Sequence, residues 1–326
     1  MMTVVTTTDT PFYDDSGKFS AKKFIEYLDT EGRNVPYDRE KPEKGQLPLY
    51  YDEVKFKKAQ LVFEKYKSCF LLVKLTGLLA LLLNAVALKI IMLTKKSGTP
   101  ETAFVRYRDT FRHVLIWYSS DFTVGSKLWK SIDKVKSMHH SANLEATTVP
   151  NVLLITQREL AATVWGFIGF AIARPEYFGL KDLADSELEA VVHFWRVICY
   201  LLGVDNRFNL CRESLAQTKA IFHEVTNHYF KRFMLLRQPN SEHMQLVALE
   251  GIRKFGFILK PKVVLNMLND VILMDRVKYY WLYYDMNFIE RVYDVVLRLT
   301  IKLMRYRWFR NIANVHITRK INRLFK

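Results

Sequence analysis

The chain has 326 residues, half of them apolar, and 49 Lys and Arg against 33 Asp and Glu give it a net charge of +16. That composition excludes a disordered chain and supplies enough apolar mass for one large core, or for two that share an interface. The positive balance suits an anionic membrane surface or nucleic acid and by itself names no chemistry.

The first twenty residues, with Thr6, Thr7, Thr8, Asp9, Asp14 and Asp15, lack the basic start and apolar stretch of a signal peptide. Residues 1–55 read as a polar N-terminal arm lying over the surface, broken by Pro36, Pro42 and Pro48, with one short helix from Ala21 to Leu28. Residues 56–326 read as an all-α domain. Phe56 to Leu93 is the most apolar region, and its longest uncharged run, Leu75 to Leu88, makes about 21 Å of helix at the usual rise. A bilayer core of roughly 30 Å is wider than that. Lys74 and Lys89 could snorkel and lengthen a span, but a buried core helix or hairpin is the preferred reading.

Glu101 to Ser120 reads as a helix with Tyr107, Phe111, Val114 and Tyr118 on one stripe and Arg106, Thr110, His113 and Trp117 on another. Spacing alone leaves the second stripe open between a solvated face and a lined cavity. Lys127 to Ala142 forms the next helix, on which Leu128, Ile132, Val135, His139 and Ala142 share one side. His139 therefore points inward, whereas His140 falls with Asp133 and Lys136 on a charged face. A polar loop follows from Asn143 to Pro150. Thr156 and Glu159 make a capping box for a helix containing Gly166 and Gly169, which Arg174 and Pro175 end. Small residues at that spacing point to close helix packing, with a flat ligand as the alternative.

Asp185 or Ser186 opens a helix with Leu188, Val192, Trp195, Cys199 and Leu202 inside and the polar row Glu189, His193, Arg196 and Tyr200, ended by Gly203. Beyond Cys211 the pattern stays helical, and no β signal of any length occurs. From Ile301 on there are eight Lys or Arg and no Asp or Glu, with Ile301, Met304, Trp308, Ile312 and Val315 on one stripe. That is the pattern of a basic amphipathic helix at an anionic membrane surface.

Several motifs fail. Cys69, Cys199 and Cys211 are odd in number without a CxxC, which argues against a disulfide framework or structural zinc and for a reducing compartment. His223 and His228 flank a Glu but lie five apart, not the four a zinc protease helix needs. There is no dinucleotide loop, P-loop or GxSxG elbow, and no nucleic-acid fold motif accompanies the basic charge, so nucleic acid is not expected as a partner.

Three blocks in order resemble the family of the ER-bound oxygenase of mycophenolic acid biosynthesis and the bacterial rubber oxygenase. They are Arg106-Tyr107-Arg108-Asp109-Thr110 leading to Val135-Lys136-Ser137-Met138-His139, then Gln157-Arg158-Glu159-Leu160 through Gly169, and His193-Phe194-Trp195-Arg196 through Gly203-Val204-Asp205-Asn206-Arg207-Phe208-Asn209-Leu210-Cys211. The last block looks like the animal and fungal branch, in which Cys199 stands where Gly is expected. The resemblance implies a globin-like multi-helix domain binding haem b, with His139 as the iron ligand and Arg106 and Thr110 in the pocket. His113, His193 and Arg196 join them as candidate cofactor contacts. It further implies an oxygenase acting with O2 on a C=C bond of an apolar, isoprenoid-like substrate, at the endoplasmic reticulum membrane, with a soluble cytoplasmic protein as the alternative. Two details depart from the rubber oxygenase. Asp109 stands where a Lys can reach the distal side of the iron, and no carboxylate between Glu64 and Glu101 matches the proposed base. A non-catalytic haem- or lipid-binding protein of the same fold is the alternative function.

Overall fold

A helix begins with backbone N–H groups that have no partner in a preceding turn, and here side-chain oxygens just ahead of the apolar repeats supply one. The computed structural model describes residues 11–14, 16–148 and 155–326, and among them there is no strand, only the isolated bridges Tyr13 to Phe19 and Pro36 to Thr156. The helices are α1 (Ala21–Asn34), α2 (Glu53–Lys65), α3 (Lys67–Leu81), α4 (Ala85–Leu93), α5 (Pro100–Ser119), α6 (Lys127–Thr147) and α7 (Gln157–Ala173). They continue with α8 (Asp185–Leu201), α9 (Leu215–Glu224), α10 (Lys231–Leu236), α11 (Ser241–Arg253), α12 (Pro261–Leu273), α13 (Phe288–Leu303) and α14 (Arg307–Leu324). Ser20, Asp52, Ser126 and Ser214 cap α1, α2, α6 and α9 through their side chains.

The core is centred on α7, which is buried along most of its length. It packs against α3 on one side and α1 and α9 on the other, while α2 lies on α8, and α5 on α6 and α11. A Cβ on Gly77 of α3 would stand 2.0 Å from the Gly166 carbonyl oxygen of α7. The glycines thus let the two backbones touch, as the close-packing reading expects. The capping box at Thr156 forms, its N–H donating to Glu159 Oε2 at 3.3 Å.

The apolar run folds as a bent pair: α3 and α4 meet at 92°, and no single helix among the described residues is long and apolar enough to cross a membrane. Lys74 does not snorkel, because its Nζ is sealed inside the protein.

Other departures have physical causes. α1 runs six residues beyond Leu28, and Gly32 in that extension is buried against Phe208 and the backbone at Arg158, which keeps the added turns packed on the core. α6 continues through Thr147, so Asn143 to Thr147 are helix rather than loop; Val149 and Pro150 lie outside the described residues, as do Thr6 to Asp9 and Asp15. The charged face of α6 is not solvated. Lys136 is buried with Nζ on the Pro42 carbonyl at 3.1 Å, and Lys44 pairs with Asp133 at 3.0 Å, so the N-terminal arm lies along that face.

At the C-terminus the anticipated single stripe is split between α13 and α14. Ile301 is buried and Met304 packs on Gly179, leaving Trp308, Ile312 and Val315 outward.

Candidate functional site

α5 and α6 run antiparallel as neighbours, which brings the early part of one beside the late part of the other. Ser131 pins them. Its Oγ accepts from Trp117 Nε1 at 2.8 Å and lies 2.7 Å from His113 Nδ1. An indole N–H can only donate, so Ser131 Oγ accepts from Trp117 and shares a second hydrogen bond with His113 Nδ1 whose direction follows the imidazole tautomer. Burial lowers the His113 pKa and keeps the ring neutral. His113 and Trp117, read as one face with Arg106, thus meet the same residue of α6.

Further along the pair stands His139. The residue is half-buried, but its Nδ1 is shut off from solvent, and neither ring nitrogen has a hydrogen-bond partner among the described residues. The Tyr37 ring meets it edge-on at 5.8 Å, and Tyr37 Oη is tied to the Lys136 carbonyl at 3.1 Å. Burial first, and the positive charge of Arg106 second, push the His139 pKa down to about 4. The imidazole is neutral at physiological pH. Arg106 is itself held, with Nη1 donating to Thr94 Oγ1 at 3.0 Å where α4 ends. Its guanidinium is largely desolvated, which lowers its pKa. Thr110, one turn on, is exposed and makes no hydrogen bond to the other candidate residues among the described residues.

His193 and Arg196 keep other company. His193 Nε2 accepts from the Asp52 N–H at 3.1 Å, and the Arg196 guanidinium lies 3.9 Å from the centre of the Tyr50 ring. Both engage the segment that leads into α2, and no hydrogen bond, ion pair or ring contact among the described residues joins them to His139 or Arg106. The site residues therefore form two groups: Arg106 and His139, with His113 and Trp117 alongside, and His193 with Arg196 under the arm.

Sequence reasoning missed three contributors. Tyr37 was hidden in a segment read as a surface arm. Ser131 falls off the apolar stripe of α6. Lys74 was read as an edge residue, yet its Nζ makes no hydrogen bond and lies 5.3 to 5.6 Å from the rings of Phe63, Phe70, Tyr118 and Trp195. Burial pushes its pKa down to about 7. A single charge inside an apolar stretch was the available signal. The His223 and His228 pair makes no metal site: His223 faces Arg174 at 3.2 Å, and His228 is exposed beside Glu224 at 3.0 Å. Among the described residues no group of three or more His, Cys, Asp or Glu is placed to hold a metal ion.

The family model for the ER-bound oxygenase mpaB/B'/rubber oxygenase catalytic domain matches residues 70–278, from the first turn of α3 to just past α12. All six candidate residues lie inside that range, whereas α1, α13 and α14 lie outside it. No curated relative and no solved structure matches the chain.

Proposed function

The chain belongs to the family of ER-bound oxygenases of the mpaB/B' and rubber oxygenase type, and on that footing we propose that it is a haem b-dependent oxygenase, globin-like in its helix arrangement, that cleaves a C=C bond of an apolar, isoprenoid-like chain with O2. The observation that carries the haem reading is His139. A neutral imidazole with a shielded nitrogen that no described residue satisfies has the donor chemistry of an axial ligand. Leaving such an atom buried and unpaired costs about 1–3 kcal/mol, a strain that a ligand removes.

Arg106, fixed by Thr94, holds a positive charge beside that ring and suits a carboxylate at the edge of the cofactor. Tyr37 closes over His139 from the arm and helps keep water out. Haem iron, when bound, supplies the activation of O2. The partners in this reading are O2 and an apolar small molecule, and its place is an intracellular, membrane-associated one, as the words "ER-bound" in the family description suggest for this chain.

One observation favours a second reading, a non-catalytic haem- or lipid-binding protein of the same fold. Asp109 is engaged by Arg108 at 3.0 Å, and no carboxylate stands between Glu64 and Glu101 to serve as a base.

The test is the visible spectrum and haem content of protein expressed with adequate haem. His139→Ala should lose haem while His140→Ala retains it. Equal loss in both variants, or no Soret band in the unaltered protein, would overturn the haem reading. O2 uptake with an alkene separates the oxygenase from the non-catalytic protein.

A further inference from the structure

A surface helix of a water-soluble domain turns its apolar stripe inward. α14 buries Ile321 on its inner side but turns other apolar residues outward. Arg310 and Asn314 face the protein: Arg310 Nε and Asn314 Nδ2 donate to the Lys65 carbonyl at 3.1 and 3.0 Å, and Asn314 Nδ2 also reaches the Glu64 carbonyl at 3.1 Å. Trp308 and Ile312, each 62% exposed, and Val315 look outward. α13 carries an exposed apolar row of its own. Its inner side buries Ile301 and Asp294, whereas Val292, Val295, Val296 and Leu299 are exposed at helical spacing.

Where the two helices join, a cavity of about 550 Å³ is lined by Lys65, Tyr66, Arg305, Arg307, Arg310 and Asn311. Four cations line it and no carboxylate does. Two of the four are ion-paired, Lys65 with Glu187 at 2.7 Å and Arg305 with Asp182 at 3.7 Å, whereas Arg307 and Arg310 have no ion pair among the described residues. Arg310 is 4% exposed, stacked 4.1 Å over Tyr66, and anchored through Nε and Nη1, the latter on the Met304 and Arg305 carbonyls at 3.0 and 3.3 Å. Its Nη2 has no hydrogen-bond partner among the described residues. An anchored guanidinium with one free edge, among further cations, is built for a phosphate.

We propose that the outer face of α13 and α14 docks on an anionic lipid bilayer and that the Arg310 cavity at their junction takes the phosphate of a lipid headgroup. Charge and apolarity come together on these helices: from Ile301 on there are eight Lys or Arg and no Asp or Glu, beside exposed apolar side chains on both α13 and α14. A protein partner would need carboxylates against that row of cations as well as an apolar face, whereas an anionic leaflet offers both at once. The inference rests on the membrane-associated reading above and is independent of haem. The helices and most of the cavity lining lie outside the family-matched residues.

The experiment is co-sedimentation of the full chain with vesicles of phosphatidylcholine alone or with phosphatidic acid added, with circular dichroism to confirm that each variant is folded. The unaltered chain should prefer the anionic vesicles. Replacing Arg305 and Arg307 by Gln should lower its partition into them by more than about 30-fold, the loss expected from surface attraction alone when two cations worth about fivefold each are removed. The same change at Arg319 and Arg323, remote from the cavity, should lower it less. Val295→Asp with Ile312→Asp should abolish binding to both vesicle types. If the unaltered chain binds neither vesicle, the membrane reading falls and the site with it. If the chain binds but the Arg305 and Arg307 variant matches the unaltered protein, or loses no more than the Arg319 and Arg323 variant, the headgroup site alone is overturned.

Discussion

His139 titrates at about 4 in the folded, haem-free chain and at about 6.5 once unfolded. Between those values the unfolded chain holds the extra proton, so stability rises with pH across that window, and the cost of burying the ring is full below it and gone above it. Arg106→Gln removes one of the two causes and should move the His139 pKa upward, read from the ring signals in an NMR titration of haem-free protein. An unchanged value would mean that burial alone sets it. Lys74 follows the same logic in another range. Its folded pKa near 7 lies below the unfolded value of about 10.5, so it opposes folding fully below pH 7 and progressively less above it. Lys74→Met should therefore raise the denaturation midpoint at pH 6.5 by more than at pH 9; a gain independent of pH would show that packing, not charge, was the cause. His139 was legible in the sequence because a helix repeats its faces. The isolation of its Nδ1 was not, because that depends on Tyr37 arriving from a hundred residues away.

At the scale of helices, α3 and α7 are fixed by a backbone contact that admits no side chain. Gly77→Ala would bring a Cβ to 2.0 Å from the Gly166 oxygen, and helices that cannot part without disturbing the whole core should lose about 1–3 kcal/mol in a denaturant titration. A neutral result would require the helices to slide apart easily. The link between α5 and α6 is polar instead. Ser131→Ala leaves the Trp117 N–H buried without a partner and should cost about 1–3 kcal/mol as well, measured the same way. The extents of α7 and α8 were readable because caps and breakers such as Thr156, Arg174-Pro175 and Gly203 act locally. The C-terminal half was less so. α12 ends at Met274 with φ +58 and no glycine or proline to announce it, and the division between α13 and α14 follows from Arg310 gathering the carbonyls of Met304, Arg305 and Lys65.

For the whole molecule, α14 closes the end of α2 by supplying donors to the carbonyls of Glu64 and Lys65, groups a helix end otherwise leaves bare. Removing residues 307–326 should therefore lower the thermal midpoint as well as weaken vesicle binding. A truncated chain with an unchanged midpoint would show that α14 is an appendage. The arm is woven in just as firmly, and its placement carries a consequence in time. Tyr37 is synthesised 99 residues before Lys136, the carbonyl it must bond, and that interval takes roughly 5 to 20 s at ordinary elongation rates. Throughout it the Tyr37 hydroxyl waits without that acceptor. Tyr37 N–H also donates to the Ile155 carbonyl at 3.1 Å, on a residue made after α6, so the side bearing His139 stands open during synthesis until the earlier segment comes to rest on both.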